Sequence, residues 1–111
     1  MNRSDGWKVR TGAEHMFGKY VVTQKKGETL RNRYRNISRI ALVASTGEGY
    51  GKVHVYVGRE RVRTINLGSY TRQTNRLIEV KSFGTPRDGV VKVVVASKGK
   101  PVSIDAVGVI S

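Results

Sequence analysis

Residues 51–67 read G-K-V-H-V-Y-V-G-R-E-R-V-R-T-I-N-L, and this stretch limits the fold more than any other. Val53, Val55 and Val57 alternate with Lys52, His54 and Tyr56, the period of two that a strand with one buried face produces. Gly58-Arg59-Glu60 interrupts the alternation, and Val62, Ile65 and Leu67 resume it. The segment therefore predicts a β-hairpin.

The rest of the chain repeats this pattern. Strands are expected at 7–10, 19–24, 29–35, 40–44, 76–83, 90–96 and 102–110, giving with the hairpin about eight or nine short strands. Polar, glycine-bearing turns separate them at 25–28, 45–51, 84–89 and 97–101. No helical period persists over three turns, and no linker, low-complexity tract or fixed repeat divides the sequence. Valine enrichment favours strands over helices. The expectation is an all-β, single-domain antiparallel β-sandwich spanning 1–111, long enough for one two-layer core.

No apolar run approaches the ~20 residues of a membrane-spanning helix, so no transmembrane segment is expected. Residues 1–6 lack an apolar signal region, which suits either a cytosolic protein or an excised mature domain. Cysteine is absent, excluding a disulfide framework and a thiolate metal site. Charge is the extreme property. Lys and Arg number 21 against 8 Asp and Glu, a net charge of +13. Such an excess draws anionic partners: nucleic acid, acidic polysaccharide, phosphate-bearing wall polymers or acidic membrane surfaces.

Read in order, the segments resemble the jelly-roll, carbohydrate-binding-module-like domains of exported actinobacterial proteins. The matching residues are Trp7, Lys26-Gly27 before a strand, the aliphatic Ile40-Ala41-Leu42-Val43, and the hairpin 51–58. Thr64-Ile65-Asn66-Leu67 and the closing Ser103-Ile104-Asp105-Ala106-Val107 complete the series. The resemblance implies a jelly-roll sandwich, with Trp7 packed on the core. Two carboxylates of the pattern are missing: Val57 and Asn66 stand where family members carry Asp. An anionic ligand suits that loss better than a calcium-linked neutral sugar.

Candidate binding residues follow from side-chain periodicity. Arg31, Arg33 and Arg35 occupy alternate positions of one expected strand, and Arg59, Arg61 and Arg63 repeat the spacing at the hairpin turn. Guanidinium groups on one face would stand roughly 6.5–7 Å apart. Each can grip a carboxylate or phosphate bidentately. An ordinary solvated face, or an edge guarded by charge, is the structural alternative for both rows. Aromatic residues are only 7% of the chain, so stacking partners are few. Tyr50 and Tyr70, in glycine- or serine-flanked loops, are the expected exposed rings, and Tyr56 shares a face with His54. Tyr34 and Phe83 read as core, and Asp105 as a hydrogen-bond anchor within the last strand.

His15 and His54 are the only histidines, too few for a zinc or iron site without cysteines. His15-Met16 offers an axial ligand to a haem, the one cofactor worth weighing; otherwise none is expected. No G-x-S-x-G elbow, H-E-x-x-H motif or carboxylate pair indicates an enzyme. The function expected is a non-catalytic binding module for an anionic glycan or cell-wall polymer, monomeric and secreted or at the cell surface. A nucleic-acid-binding β protein and a secreted carrier of a small anionic cofactor such as haem are the alternatives.

Overall fold

The computed structural model describes residues 2–11, 19–70 and 72–110, and its regular structure is all strand. The strands are β1 (Asn2–Arg3), β2 (Lys8–Thr11), β3 (Lys19–Thr23), β4 (Thr29–Thr46), β5 (Lys52–Val57), β6 (Glu60–Asn66), β7 (Gln73–Val95) and β8 (Val102–Ile110). Every pairing between them is antiparallel.

Two strands are far longer than expected, β4 at 18 residues and β7 at 23. Each passes through both layers of the sandwich. Residues 29–34 of β4 pair with 89–94 of β7, whereas 39–46 pair with 73–82. The first layer is β1, β4 (29–34), β7 (89–95), β5 and β6; the second is β2, β3, β8, β4 (39–46) and β7 (73–82). The turn expected at 84–89, and the break expected between 35 and 40, are corners within continuous strands. Asn36 makes one corner by adopting φ of 53°, a left-handed conformation that Asn tolerates better than most residues. On β7 the register jumps from Arg87 to Ser82, so residues 83–86 bulge out of the ladder. Pro86 lies in that bulge, where its missing N–H breaks no ladder bond.

The core fills from both layers. Val53, Val55, Val91 and Val93 from the first are wholly inaccessible, as are Leu42 and Val102 from the second, with Ile40 and Ile104 nearly so. Each such side chain contributes about 1.5–3 kcal/mol by leaving water. Trp7 is buried, as expected, and its indole donates to the Thr29 carbonyl at 3.0 Å. Glu28 holds the same N-terminal segment, accepting from the Ser4 hydroxyl and from Gly6 N at 2.9 Å. Among the described residues no helix is long and apolar enough to cross a membrane.

Candidate ligand-binding face

Directly opposed residues of an antiparallel pair share a face, so the register defines what the first layer shows to solvent. Burial of Val53, Val55 and Val57 on β5, and of Val91, Val93 and Val95 on β7, turns the intervening residues outward. Arg31 on β4 is opposite Lys92 on β7; Lys92 is opposite Tyr56 on β5; Tyr56 is opposite Arg61 on β6. One cross-strand row therefore carries three cations and a phenol. At the usual strand spacing it spans roughly 14 Å. The adjacent row is Thr29, Val94, His54 and Thr64. Arg33 extends the basic surface beside Val90.

Contacts within the face fix its side chains. Lys92 Nζ lies 5.0 Å from the centroid of the Tyr56 ring, a cation–π distance. The His54 and Tyr56 rings are tilted at 54° with centroids 6.3 Å apart. His54 Nδ1 is 2.7 Å from Thr64 Oγ1. Burial lowers the His54 pKa, and the positive charges of Arg61 and Lys26 lower it further. The imidazole is thus held in its neutral form beside a field of cations.

None of these cross-strand positions carries a carboxylate. Glu60 is occupied by Arg87 at 2.6 Å, and Glu79 by Arg39 at 3.2 Å. Asp88 accepts from Asn36 N at the corner, at 2.9 Å. Arg31, Lys92 and Arg61 thus share their row with no acidic residue, and their field adds rather than cancels.

The expected site residues divide. Arg31, Arg33, His54, Tyr56 and Arg61 share the face just described. Arg35 is exposed beyond the last regular pair, next to the Asn36 corner. Arg59 is exposed at the tip of the hairpin, where Gly58 takes φ of 61°. Arg63 does not follow Arg61. A bulge at Val62 shifts the β6 register, so that Arg63 opposes Val55, an inward position. Its guanidinium donates to the Glu79 carbonyl on the second layer's part of β7. The second arginine row is therefore split between two faces.

Tyr50 is corrected too: its ring is half-buried against the core, close beneath Gly47, and is not an exposed stacking surface. Tyr70 is fully exposed, beside a shallow recess with Glu48, Asn66 and Ser69 at the far end of the hairpin from Arg61. Tyr34 and Phe83 are only partly buried against the core, and Arg87 stacks 4.3 Å over the Phe83 ring. His15 and Met16 lie outside the described residues. Lys92 is the member that sequence reasoning missed. It sits in an aliphatic run, V-V-K-V-V-V, and only the register reveals that it joins Arg31 to Tyr56.

The architecture is the jelly-roll-like β-sandwich found in carbohydrate-binding modules. A β-1,3-glucan binding family 6 module from Bacillus halodurans superposes with a TM-score of 0.70 at 10% identity, over 99% of this chain and 89% of that one. A family 6 module from Clostridium stercorarium, solved with cellobiose, gives 0.67 at 13% identity over 96% and 82%. The chain also matches a segment of larger enzymes, spanning 30% of a family two carbohydrate esterase from Cellvibrio japonicus at a TM-score of 0.63, 14% identity and 92% of this chain. It spans 12% of a Paenibacillus xanthan lyase at 0.74, 12% identity and 99% of this chain. At such identities the likeness is one of fold. No protein-family model and no curated protein matches the sequence.

Proposed function

We propose that this chain is a non-catalytic module that binds an anionic glycan or surface polymer across the outward face of its first layer. The cross-strand row Arg31–Lys92–Tyr56–Arg61 carries this reading. Its cations suit carboxylate, sulfate or phosphate groups along a polymer, and Tyr56 offers the partly exposed edge of a ring to a sugar. The names of two neighbours, one binding β-1,3-glucan and one holding cellobiose, support a glycan over other polyanions. A polymer would lie across the strands, following the row, and not along β4 as alternate arginines suggest. A monomer secreted or displayed at the cell surface fits this role.

The test is retention on acidic polysaccharides and wall polymers over a salt series, with neutral glucan and nucleic acid as comparison arms. Retention on an acidic glycan should fall steadily with salt, because exposed charges are screened within about 8 Å at physiological ionic strength. Arg31→Ala and Lys92→Ala should each weaken it. Salt-indifferent binding, or alanine variants that bind like the parent, would reject the row. Tighter retention on DNA or RNA, with a log-linear salt dependence, would replace the glycan by nucleic acid.

A further inference from the structure

A second row with exposed cations runs parallel to Arg31–Lys92–Tyr56–Arg61, on the far side of Thr29–Val94–His54–Thr64. Lys52 is opposite Asn66 on β6, and the Ala96 amide donates to the Lys52 carbonyl at 2.9 Å. That bond carries the β5–β7 ladder just beyond the end of β7. Gly27 N donates to the Val95 carbonyl at 2.8 Å and Val95 N to the Glu28 carbonyl at 2.9 Å, so Lys26 stands at the β4 end of this row. Burial of Val53 and Val95 turns Lys52 and Ala96 outward, to the side of His54 and Val94. Lys26 and Lys52 are both exposed. Glu28 accepts from the Ser4 hydroxyl and Gly6 N, so its carboxylate is engaged with the N-terminal segment.

From Tyr56 to Lys52, and from Lys92 to Ala96, is four residues of strand, roughly 13 Å. Between the two rows lies a strip of Thr29, Val94, His54 and Thr64, uncharged while the imidazole is neutral. Beyond the effect of burial, Arg61 from one row and Lys26 from the other lower the His54 pKa, as cations on both sides of it would.

The cations of the two rows are staggered. On β7 the cation is Lys92, and Ala96 faces it across the strip; on β5 it is Lys52, facing Tyr56; on β6 it is Arg61, facing Asn66. Passing from β7 to β6, the charge changes side at every strand, roughly every 4.8 Å, and returns to its first side after roughly 9.6 Å. An even carpet of cations would take any polyanion, whereas a staggered one matches a particular arrangement of charge.

We infer, resting on the glycan reading above, that the polymer is a (1→4)-linked polyuronate in an extended twofold ribbon, lying along the neutral strip with one sugar residue per strand. In such a ribbon each residue is turned over relative to the last, so carboxylates project alternately to either side. Successive carboxylates then meet Lys92, Lys52 and Arg61, the last able to grip bidentately. At β5 the residue that turns its carboxylate to Lys52 presents its opposite edge to the Tyr56 ring. At the β4 end, Arg31 and Lys26 supply a cation on each side.

The experiment is titration calorimetry of the whole chain with oligomers of equal length from β-(1→4)-mannuronan, hyaluronan and polygalacturonate. The first is a ribbon with an acid on every residue, the second carries one on every second residue, and the axial linkages of the third coil it. The mannuronan oligomer should bind most tightly. Lys52→Ala and Lys92→Ala should each weaken it by about two- to tenfold, the worth of one hydrogen bond, and Lys52→Arg should restore it. Lys8→Ala, which removes the same charge from β2 on the second layer, should change it little. Binding that is weakened in Lys92→Ala but unchanged in Lys52→Ala would overturn the ribbon and leave the basic row standing. Equal or tighter binding of hyaluronan or polygalacturonate would do the same. No binding of any acidic oligomer would remove the row and the ribbon together.

Discussion

Lys92 Nζ stands 5.0 Å from the centroid of the Tyr56 ring, and the two residues are directly opposite each other on β7 and β5. The ammonium therefore has a fixed station in the middle of the basic row. Replacing Lys92 with Ala should weaken binding of an acidic polymer and flatten its salt dependence. Tyr56→Ala should do less to the salt slope but also lower affinity. A double-mutant cycle on folding should recover a coupling of about 0.5–1 kcal/mol, the size of a cation–π pair at an accessible site. Binding isotherms and denaturant melts of the four proteins measure both effects.

Arg61 and Arg63 are two residues apart, yet the Val62 bulge gives them different work. Arg61→Ala should reduce retention on an acidic polymer. Arg63→Ala should leave retention unchanged and lower stability by about 0.5–1.5 kcal/mol, through loss of its bond to the Glu79 carbonyl. A retention assay paired with urea melts distinguishes the two. Equal losses of binding would mean that Arg63 also reaches the ligand.

His54 supplies a pH response with a definite sign. Its folded pKa is lowered, by burial first and then by Arg61 and Lys26. Below the ordinary value near 6.5, the unfolded chain therefore takes up more protons at this residue than the folded one. Stability falls as pH drops through that value and levels off once the folded His54 is also protonated. Protonation adds a positive charge to the face, so affinity for an acidic polymer should rise over the same descent. His54→Gln should remove both trends, read by melts and by binding from neutral to mildly acidic pH.

Glu28 gives a stability response of the same sign at lower pH. Hydrogen bonds from Ser4 and then Gly6 lower its folded pKa, burial opposes them, and the charge of Lys25 assists. Its contribution is present above the unfolded value of about 4.3 and is lost as pH falls through the folded one. The Gly6 amide should lose hydrogen-exchange protection over that range. Glu28→Gln should show the weaker protection at every pH.

Trp7 ties the same segment from the other side. Trp7→Phe keeps most of the buried ring but removes the donor to the Thr29 carbonyl, 3.0 Å away. The cost expected is about 1–3 kcal/mol, because the carbonyl is left partly unsatisfied. Thermal or chemical melts check it.

The hairpin was legible in the sequence because alternating valines report which face is buried, and β5 and β6 fall where that alternation placed them. The extended length of β4 and β7 was not. Gly84, Pro86 and Asn36 are turn formers locally, but long-range pairing of Ile37 with Arg87 carries both strands through the corner. The basic face was half legible. Arg31, Arg33, His54, Tyr56 and Arg61 could be sorted by period within their own strands. Joining them needed the register between strands, which supplied Lys92. The displacement of Arg63 was hidden because a one-residue bulge leaves no mark in composition. Tyr50 misled for a related reason: its glycine-flanked loop folds back on the core.

Because β4 and β7 are each common to both layers, neither layer can detach without tearing two unbroken strands from their neighbours. Force applied to one layer is therefore transmitted through covalent backbone to the other. A sandwich joined this way should yield to mechanical load as a single cooperative unit.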